Sequence, residues 1–122
     1  MDDSCISIAE KDLPANICPL IKASYGYAKS DKCPYFHCSD IIIGETTCDG
    51  KKKMYEHLSD IKETYIMQLP YRCDLKESHN FWKKSIHRLI DKLNKFYDVK
   101  INDKKLKESI KIKNKRRKAV RV

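Results

Sequence analysis

A strand–helix–strand pattern between residues 41 and 69 constrains the fold of this chain more than any other feature of its sequence. Ile41-Ile42-Ile43 is β-branched and wholly apolar, which is typical of a buried strand. Residues 51–63 carry apolar side chains at helical spacing, and Thr64 to Leu69, stopped by Pro70, has the composition of a second strand. Two strands joined by a helix pair in parallel through a right-handed crossover, so we expect an α/β fold.

The chain has 122 residues, which is enough for one domain or part of one. A domain of this size can bury a real core without disulfide bonds. Ahead of the first strand, Cys18-Pro19 opens an apolar-periodic run that is expected to be a short helix ending at Gly26 or soon after. We therefore expect residues 1–75 to form an α/β portion with a short parallel sheet.

Residues 76–122 are expected to form C-terminal helices. Ser78 is a candidate N-cap for the first helix, and Asn102 is a candidate N-cap for the second. An apolar series at helical spacing predicts a packing stripe on the first helix: Trp82, Ile86, Leu89, Leu93 and Phe96. Leu106 and Ile110, four residues apart, predict that the second helix also packs while its basic face stays solvated.

Charge is unevenly distributed along the chain. Residues 83–122 hold 16 Lys or Arg against 4 Asp or Glu and carry +12, whereas residues 1–82 hold 10 against 13 and carry −3. Such asymmetry can mark a segment that binds nucleic acid, here residues 113–121. Lys scattered around a helix is more often a solvated face, and the run Lys51-Lys52-Lys53 is expected to be the solvated first turn of its helix.

The sequence predicts a cytoplasmic protein without a membrane partner. No stretch approaches the ~20 continuous apolar residues of a membrane helix, and Met1-Asp-Asp-Ser-Cys5 lacks the pattern of a signal peptide. In a reducing compartment, cysteines serve metal or redox chemistry more often than disulfide bonds. The chain has six of them, at Cys5, Cys18, Cys33, Cys38, Cys48 and Cys73.

The positions of the cysteines relative to the expected strands and helices separate candidate ligands from buried thiols. Cys48 follows the first strand and Cys73 the second, at the carboxyl edge where parallel sheets bind ligands, while Cys38 precedes the first strand. We therefore expect Cys38 to be a buried thiol. Cys18 and Cys48 stand at helix starts, where free backbone N–H groups stabilise a thiolate, and two such thiolates suit an iron–sulfur cluster.

Three segments of the sequence resemble the catalytic subunits of the 2-hydroxyacyl-CoA dehydratase family, which includes benzoyl-CoA reductase subunits and double-cubane-cluster proteins. They are Leu13-Pro-Ala-Asn-Ile-Cys-Pro-Leu-Ile-Lys-Ala-Ser-Tyr-Gly26, Asp31-Lys-Cys-Pro-Tyr-Phe36 and Gly44-Glu-Thr-Thr-Cys-Asp-Gly-Lys-Lys-Lys-Met-Tyr-Glu56. The second segment makes the double-cubane branch the most similar one. The resemblance runs from about Ala9 to Leu69.

This resemblance implies a [4Fe-4S] or double-cubane cluster, with Cys18 and Cys48 at ligand positions and Cys33 at the further cysteine of the double-cubane branch. For Cys33, a ligand and a buried thiol remain equal alternatives, whereas Cys5 and Cys73 are not expected to be ligands. The resemblance also implies an oxygen-sensitive enzyme of anaerobes, formed by two subunits. An ATP-dependent activator gives it one low-potential electron for radical chemistry on an acyl-CoA.

Family subunits are built from Rossmann-like domains and are several times longer than this chain. The resemblance therefore implies that residues 1–75 are a fragment of a Rossmann-like domain and supply only part of a cluster-binding site. Two alternatives of other classes stay open. A zinc-stabilised structural module would use four thiolates, with His37 as a further candidate, although the absence of any Cys-x-x-Cys pair weakens it. A basic nucleic-acid-binding protein would show affinity that falls steeply with salt.

Overall fold

The computed structural model describes residues 3–120, which form six helices and two strands. In chain order the described elements are α1 Asp3–Ala9, α2 Pro19–Lys29, α3 Pro34–Cys38, β1 Ile42–Glu45, α4 Asp49–Ser59, β2 Thr64–Met67, α5 Lys76–Tyr97 and α6 Asp103–Val120. Contacts between Cα atoms divide the chain into two units, one up to Ser85 and one from Ile86, with the division inside α5.

The α/β class predicted from the strand–helix–strand pattern is confirmed. Strands β1 and β2 pair in parallel, with Ile42 opposite Thr64 and Glu45 opposite Met67, and α4 is the crossover between them. Both strands are shorter than the segments expected to form them, and β1 begins one residue later and extends to Glu45. The carboxyl ends of both strands therefore leave the sheet at the same edge.

The composition of the first strand predicts a buried strand, but only one of its faces is covered. Gly44 faces α4, because a Cβ atom placed there would meet the Tyr55 ring at 2.5 Å. Ile43, whose side chain lies on the opposite face, remains 47% exposed. Successive residues of a strand point to opposite faces, so a run of isoleucines does not indicate which face of a two-stranded sheet is covered by a helix.

The core of the first unit lies between the helices that precede the sheet and the crossover helix. Its buried members are Ala9, Leu13, Ile21, Tyr25, Ala28, Met54 and Leu58. Helix α1, which the sequence had not predicted, packs closely on α2. Gly26 lies inside α2 rather than at its end, because the Cys5 carbonyl of α1 occupies the space that a side chain would need.

Helix α5 begins at Lys76, two residues before the N-cap predicted from Ser78, which is buried inside the helix instead. The apolar series of α5 shares one face, but its two ends, Trp82 and Phe96, remain exposed. The helix ends at Tyr97, where Asp98 adopts a left-handed conformation with φ of 49°.

Helix α6 has the predicted N-cap but not the predicted packing. The Lys105 N–H donates to Asn102 Oδ1 at 2.9 Å. Leu106 and Ile110 are exposed, and α6 has no buried residue along Asp103–Val120. The five apolar residues of α6 are scattered among nine Lys and Arg, and they give too little continuous apolar surface to dock the helix within its own unit. Across residues 3–120, no helix combines the length and the apolar character needed to cross a bilayer.

Candidate functional site

Each of the three cysteines singled out as ligands stands immediately before a helix. Cys18 is the N-cap of α2, Cys33 of α3 and Cys48 of α4. The Sγ of Cys33 accepts a hydrogen bond from the Phe36 N–H at 3.4 Å, while Cys18 and Cys48 make no such side-chain cap. The sequence prediction that Cys18 and Cys48 stand at helix starts therefore agrees with the structure.

The starts of α2 and α4 meet. A Cβ atom placed on Gly50, the second residue of α4, would lie 2.8 Å from Ile21 Cδ1, 3.5 Å from Ile17 Cγ2 and 3.8 Å from Cys48 Sγ. Ile17 directly precedes Cys18 in the chain. The structure therefore brings Cys18 and Cys48 to one junction, with the apolar side chains of Ile17 and Ile21 beside the Cys48 sulfur.

Cys33 begins a short helix whose other end is held by a lysine. The Lys62 ammonium, which follows the last turn of α4, donates to the carbonyls of Phe36 and Ser39 at the end of α3. Cys33 is at the opposite end of this five-residue helix. Among residues 3–120, no group of three or more His, Cys, Asp or Glu side chains could hold a metal ion.

The three remaining cysteines differ in burial, and one of them differs from the sequence prediction. Cys5 is fully buried in α1. The buried thiol predicted at Cys38 is wrong, because Cys38 is exposed at the end of the five-residue helix α3, which has no buried residue. Cys73 is exposed after β2 and lines a cavity described below.

The lysine run at the start of α4 is paired with carboxylates rather than freely solvated. Lys52 contacts Asp49 and Lys53 contacts Glu56, each within one helical turn. Lys51 Nζ instead reaches back to Glu45 Oε1, at the end of β1, at 2.7 Å. Glu45 raises the pKa of Lys51, with a smaller contribution from the charge of Cys48. The Lys51 ammonium thus interacts mainly with Glu45 and only weakly with Cys48.

Glu45 fixes the loop between β1 and Cys48. Its second oxygen accepts the Thr47 N–H at 2.8 Å. The Lys51 ammonium, together with Thr47, lowers the pKa of Glu45 from an ordinary value of 4.5 to about 2. A carboxyl whose pKa is lowered by folding stabilises the fold at pH values above its pKa in the unfolded chain. This stabilisation is lost as the pH falls through its pKa in the folded chain.

We expect the free energy of unfolding to fall as the pH drops from about 5 to 2, and to fall less in Glu45→Gln, because the amide has no proton to gain. Other carboxyls with lowered pKa values, such as Asp12 and Asp74, are still present in the variant. The free energy of unfolding of the variant should therefore still fall at low pH, but less steeply. Urea unfolding followed by circular dichroism at several pH values measures the difference. Glu108→Gln, on the exposed helix α6, is the matched control, and a slope in Glu45→Gln as steep as in this control would contradict the role of Glu45.

A cavity of about 310 Å³ lies beyond the carboxyl end of β2. It is lined by Leu69, Pro70, Cys73, Ser78, His79 and Trp82. The Leu69 N–H donates to Thr46 Oγ1 at 3.0 Å, and this bond ties the chain leaving β2 to the loop that leads to Cys48. The sequence did not indicate this cavity, because the spacing of Trp82 is typical of a packing stripe and His79 belongs to no recognisable motif.

His37 and His57 lie outside this cavity. His37 is exposed, with Nδ1 3.0 Å from Asp31 Oδ1. His57 packs its ring 5.9 Å from the ring of Tyr25, whose hydroxyl donates to Asp12 at 2.7 Å. Burial and this hydrogen bond raise the pKa of Tyr25, so the hydroxyl stays protonated and serves the core.

Comparison with known proteins identifies the relatives of this chain. The family model for the D-component of 2-hydroxyglutaryl-CoA dehydratase matches residues 1–122, which confirms the resemblance seen in the three segments. A protein of Escherichia coli (strain K12) named "Putative dehydratase subunit YjiM" is 48% identical over 118 residues. That match covers 97% of this chain and 31% of the relative, so the chain spans about a third of the length of the relative.

Proposed function

The chain belongs to the 2-hydroxyglutaryl-CoA dehydratase D-component family, and from this premise we propose that it is part of an iron–sulfur dehydratase subunit acting on an acyl-CoA. The proposed reaction removes the elements of water from a 2-hydroxyacyl-CoA and leaves the enoyl-CoA. The observation that carries the proposal is the junction at which α2 and α4 begin, because it joins two free cysteines at two helix starts.

The proposed cluster ligands are Cys18 and Cys48, with Cys33 as a third candidate. Cluster iron takes soft, deprotonated sulfur, and a thiol at a helix start loses its proton more readily than one in an apolar core. When bound, the cluster supplies a low-potential carrier of single electrons. The described residues group fewer than three ligands, so we expect the remaining ligands to come from residues outside this chain.

The residues around Cys48 have roles that follow from their contacts. The side chains of Ile17 and Ile21 present an apolar surface at the junction, close to Gly50 and Cys48. The Lys51 ammonium supplies positive charge that offsets the charge of thiolate ligands. Glu45 accepts from Lys51 and from the Thr47 N–H, and so holds the loop that positions Cys48.

The proposed partners are an ATP-dependent activator that delivers the electron and a second subunit, either another copy or a related chain. This chain covers 31% of the E. coli relative, which supports the expectation that the site needs further residues. We expect the purified chain to show no turnover of a 2-hydroxyacyl-CoA with activator and reductant. Turnover above background without any second subunit would contradict an incomplete site.

Iron and sulfide analysis of the anaerobically purified chain tests the cluster. We expect iron, sulfide and visible absorption that bleaches in air. Cys48→Ser and Cys18→Ser should each remove most of the bound iron, whereas Cys38→Ser should retain it, because Cys38 is an exposed thiol at the far end of α3. Cys33→Ser tests the third candidate directly.

Two outcomes would contradict this proposal. Zinc in place of iron would favour a structural metal module, and its content would not change in air. Equal loss of iron in Cys48→Ser and Cys38→Ser would show that the thiols bind iron without regard to their position. Each variant is compared with the parent chain by circular dichroism, so that a loss of fold is separated from a loss of ligand.

A further inference from the structure

The cavity beyond β2 adjoins the same sheet edge as the proposed cluster ligands. Glu45 pairs with Met67 at the ends of the two strands, so the loop to Cys48 and the loop to Cys73 leave the sheet side by side. The bond from Leu69 to Thr46 joins these two loops. Ligands of parallel sheets bind outside the carboxyl ends of the strands, which is where this cavity lies.

The chemistry of the lining is apolar with three weakly polar groups. Leu69, Pro70 and Trp82 supply hydrocarbon surface, and the polar groups are the Cys73 thiol, the Ser78 hydroxyl and the His79 imidazole. Within the part of the chain that the structure describes, no Lys, Arg, Asp or Glu lines the cavity. Its volume of about 310 Å³ is at the lower end of the range for small-molecule sites, and it corresponds to roughly ten water-sized volumes of about 30 Å³ each.

We propose that this cavity holds the acyl chain of the thioester substrate and selects a short, uncharged chain over one that ends in a carboxylate. The inference rests on the proposed function and names the substrate class for it. Burying an apolar chain against Trp82 and Leu69 is favourable because it removes hydrocarbon surface from water. A terminal carboxylate would lose hydration without gaining a lysine or arginine partner, and this desolvation is unfavourable.

Trp82 makes the proposal directly measurable, because it is the single tryptophan of the chain and lines the cavity. The fluorescence of the full chain is titrated at pH 8, where an imidazole is ordinarily neutral, with hexanoyl-CoA, glutaryl-CoA and free CoA. We expect hexanoyl-CoA to shift the Trp82 emission and to bind at least tenfold tighter than free CoA. Glutaryl-CoA should bind no more tightly than free CoA.

Cys73→Phe is the test variant, because it fills the cavity from an exposed loop position and should remove the preference for hexanoyl-CoA. Tyr71→Ala is the matched control, since Tyr71 lies in the same loop, is fully exposed and does not line the cavity. His79→Phe narrows the cavity from α5 and provides a second variant should Cys73→Phe unfold the chain.

Equal affinity for hexanoyl-CoA and free CoA would overturn the proposal, and so would tight binding of glutaryl-CoA or an unchanged preference in both cavity-filling variants. The titration needs neither cluster nor activator, so its failure leaves the iron analysis unaffected. Conversely, a chain that binds zinc could still show the acyl preference.

Discussion

An alanine at position 26 is expected to lower the free energy of unfolding by about 3 kcal/mol, a large share of the ~5–15 kcal/mol that stabilises a typical domain. The new Cβ atom would lie 1.9 Å from the carbonyl oxygen of Cys5 and 2.5 Å from its carbonyl carbon. Both are backbone atoms that no side-chain rotation can move. Helix α1 would have to separate from α2, which exposes Cys5 and Ala9, both fully buried in the parent chain.

Gly50→Ala is the matched control for this prediction. Its Cβ atom would meet Ile21 Cδ1 at 2.8 Å, but this is the far end of a flexible side chain that can rotate away. Alanine also stabilises a helix by about 1 kcal/mol relative to glycine. We therefore expect the free energy of unfolding of Gly50→Ala to lie within about 1 kcal/mol of that of the parent chain. Urea unfolding followed by circular dichroism compares the two. Equal stability of both variants would refute the close approach of α1 and α2.

Replacing Leu58 by alanine is expected to lower the free energy of unfolding by about 3 kcal/mol. Leu58 is 5% exposed and belongs to the buried cluster that α2 and α4 share. Truncating its side chain removes apolar contacts and leaves a cavity, since the backbone of α4 is held by its own hydrogen bonds and by the strands it covers. The same unfolding measurement gives the difference.

Ile61→Ala controls for the loss of aliphatic volume in this part of the chain. Ile61 is 47% exposed just after α4, so its truncation should change the free energy of unfolding by less than about 1 kcal/mol. A loss in Ile61→Ala as large as in Leu58→Ala would show that α4 does not pack on the core through Leu58. Because α4 begins immediately after Cys48, this packing also fixes one of the proposed ligands.

Local patterns predicted the elements that carry the candidate site. Apolar spacing identified α4, and Pro19 marked the start of α2. These signals are local, because a helix start depends on the backbone conformation and capping of a few neighbouring residues. Cys18 and Cys48 could therefore be assigned to helix starts from the sequence alone.

Burial was predicted less well than secondary structure. The expectations for Cys38, Ile43 and Leu106 were wrong in the same direction, because each was expected to be buried and is exposed. An apolar or small residue becomes buried only if another element covers it. The sequence of one segment does not state which element that will be, particularly in a chain that spans a third of its relative.

The sequence by itself determined the parallel strand–helix–strand unit and the family, because hydrophobic period and motif spacing are properties of short segments. Only the tertiary structure decided that the helices beginning after Cys18 and Cys48 meet at one junction, and that the Lys62 side chain holds the end of α3. It also decided that Trp82 lines a cavity instead of filling a core. The physical reason is that proximity between distant segments depends on side-chain packing, such as Gly50 against Ile21, which no local period encodes.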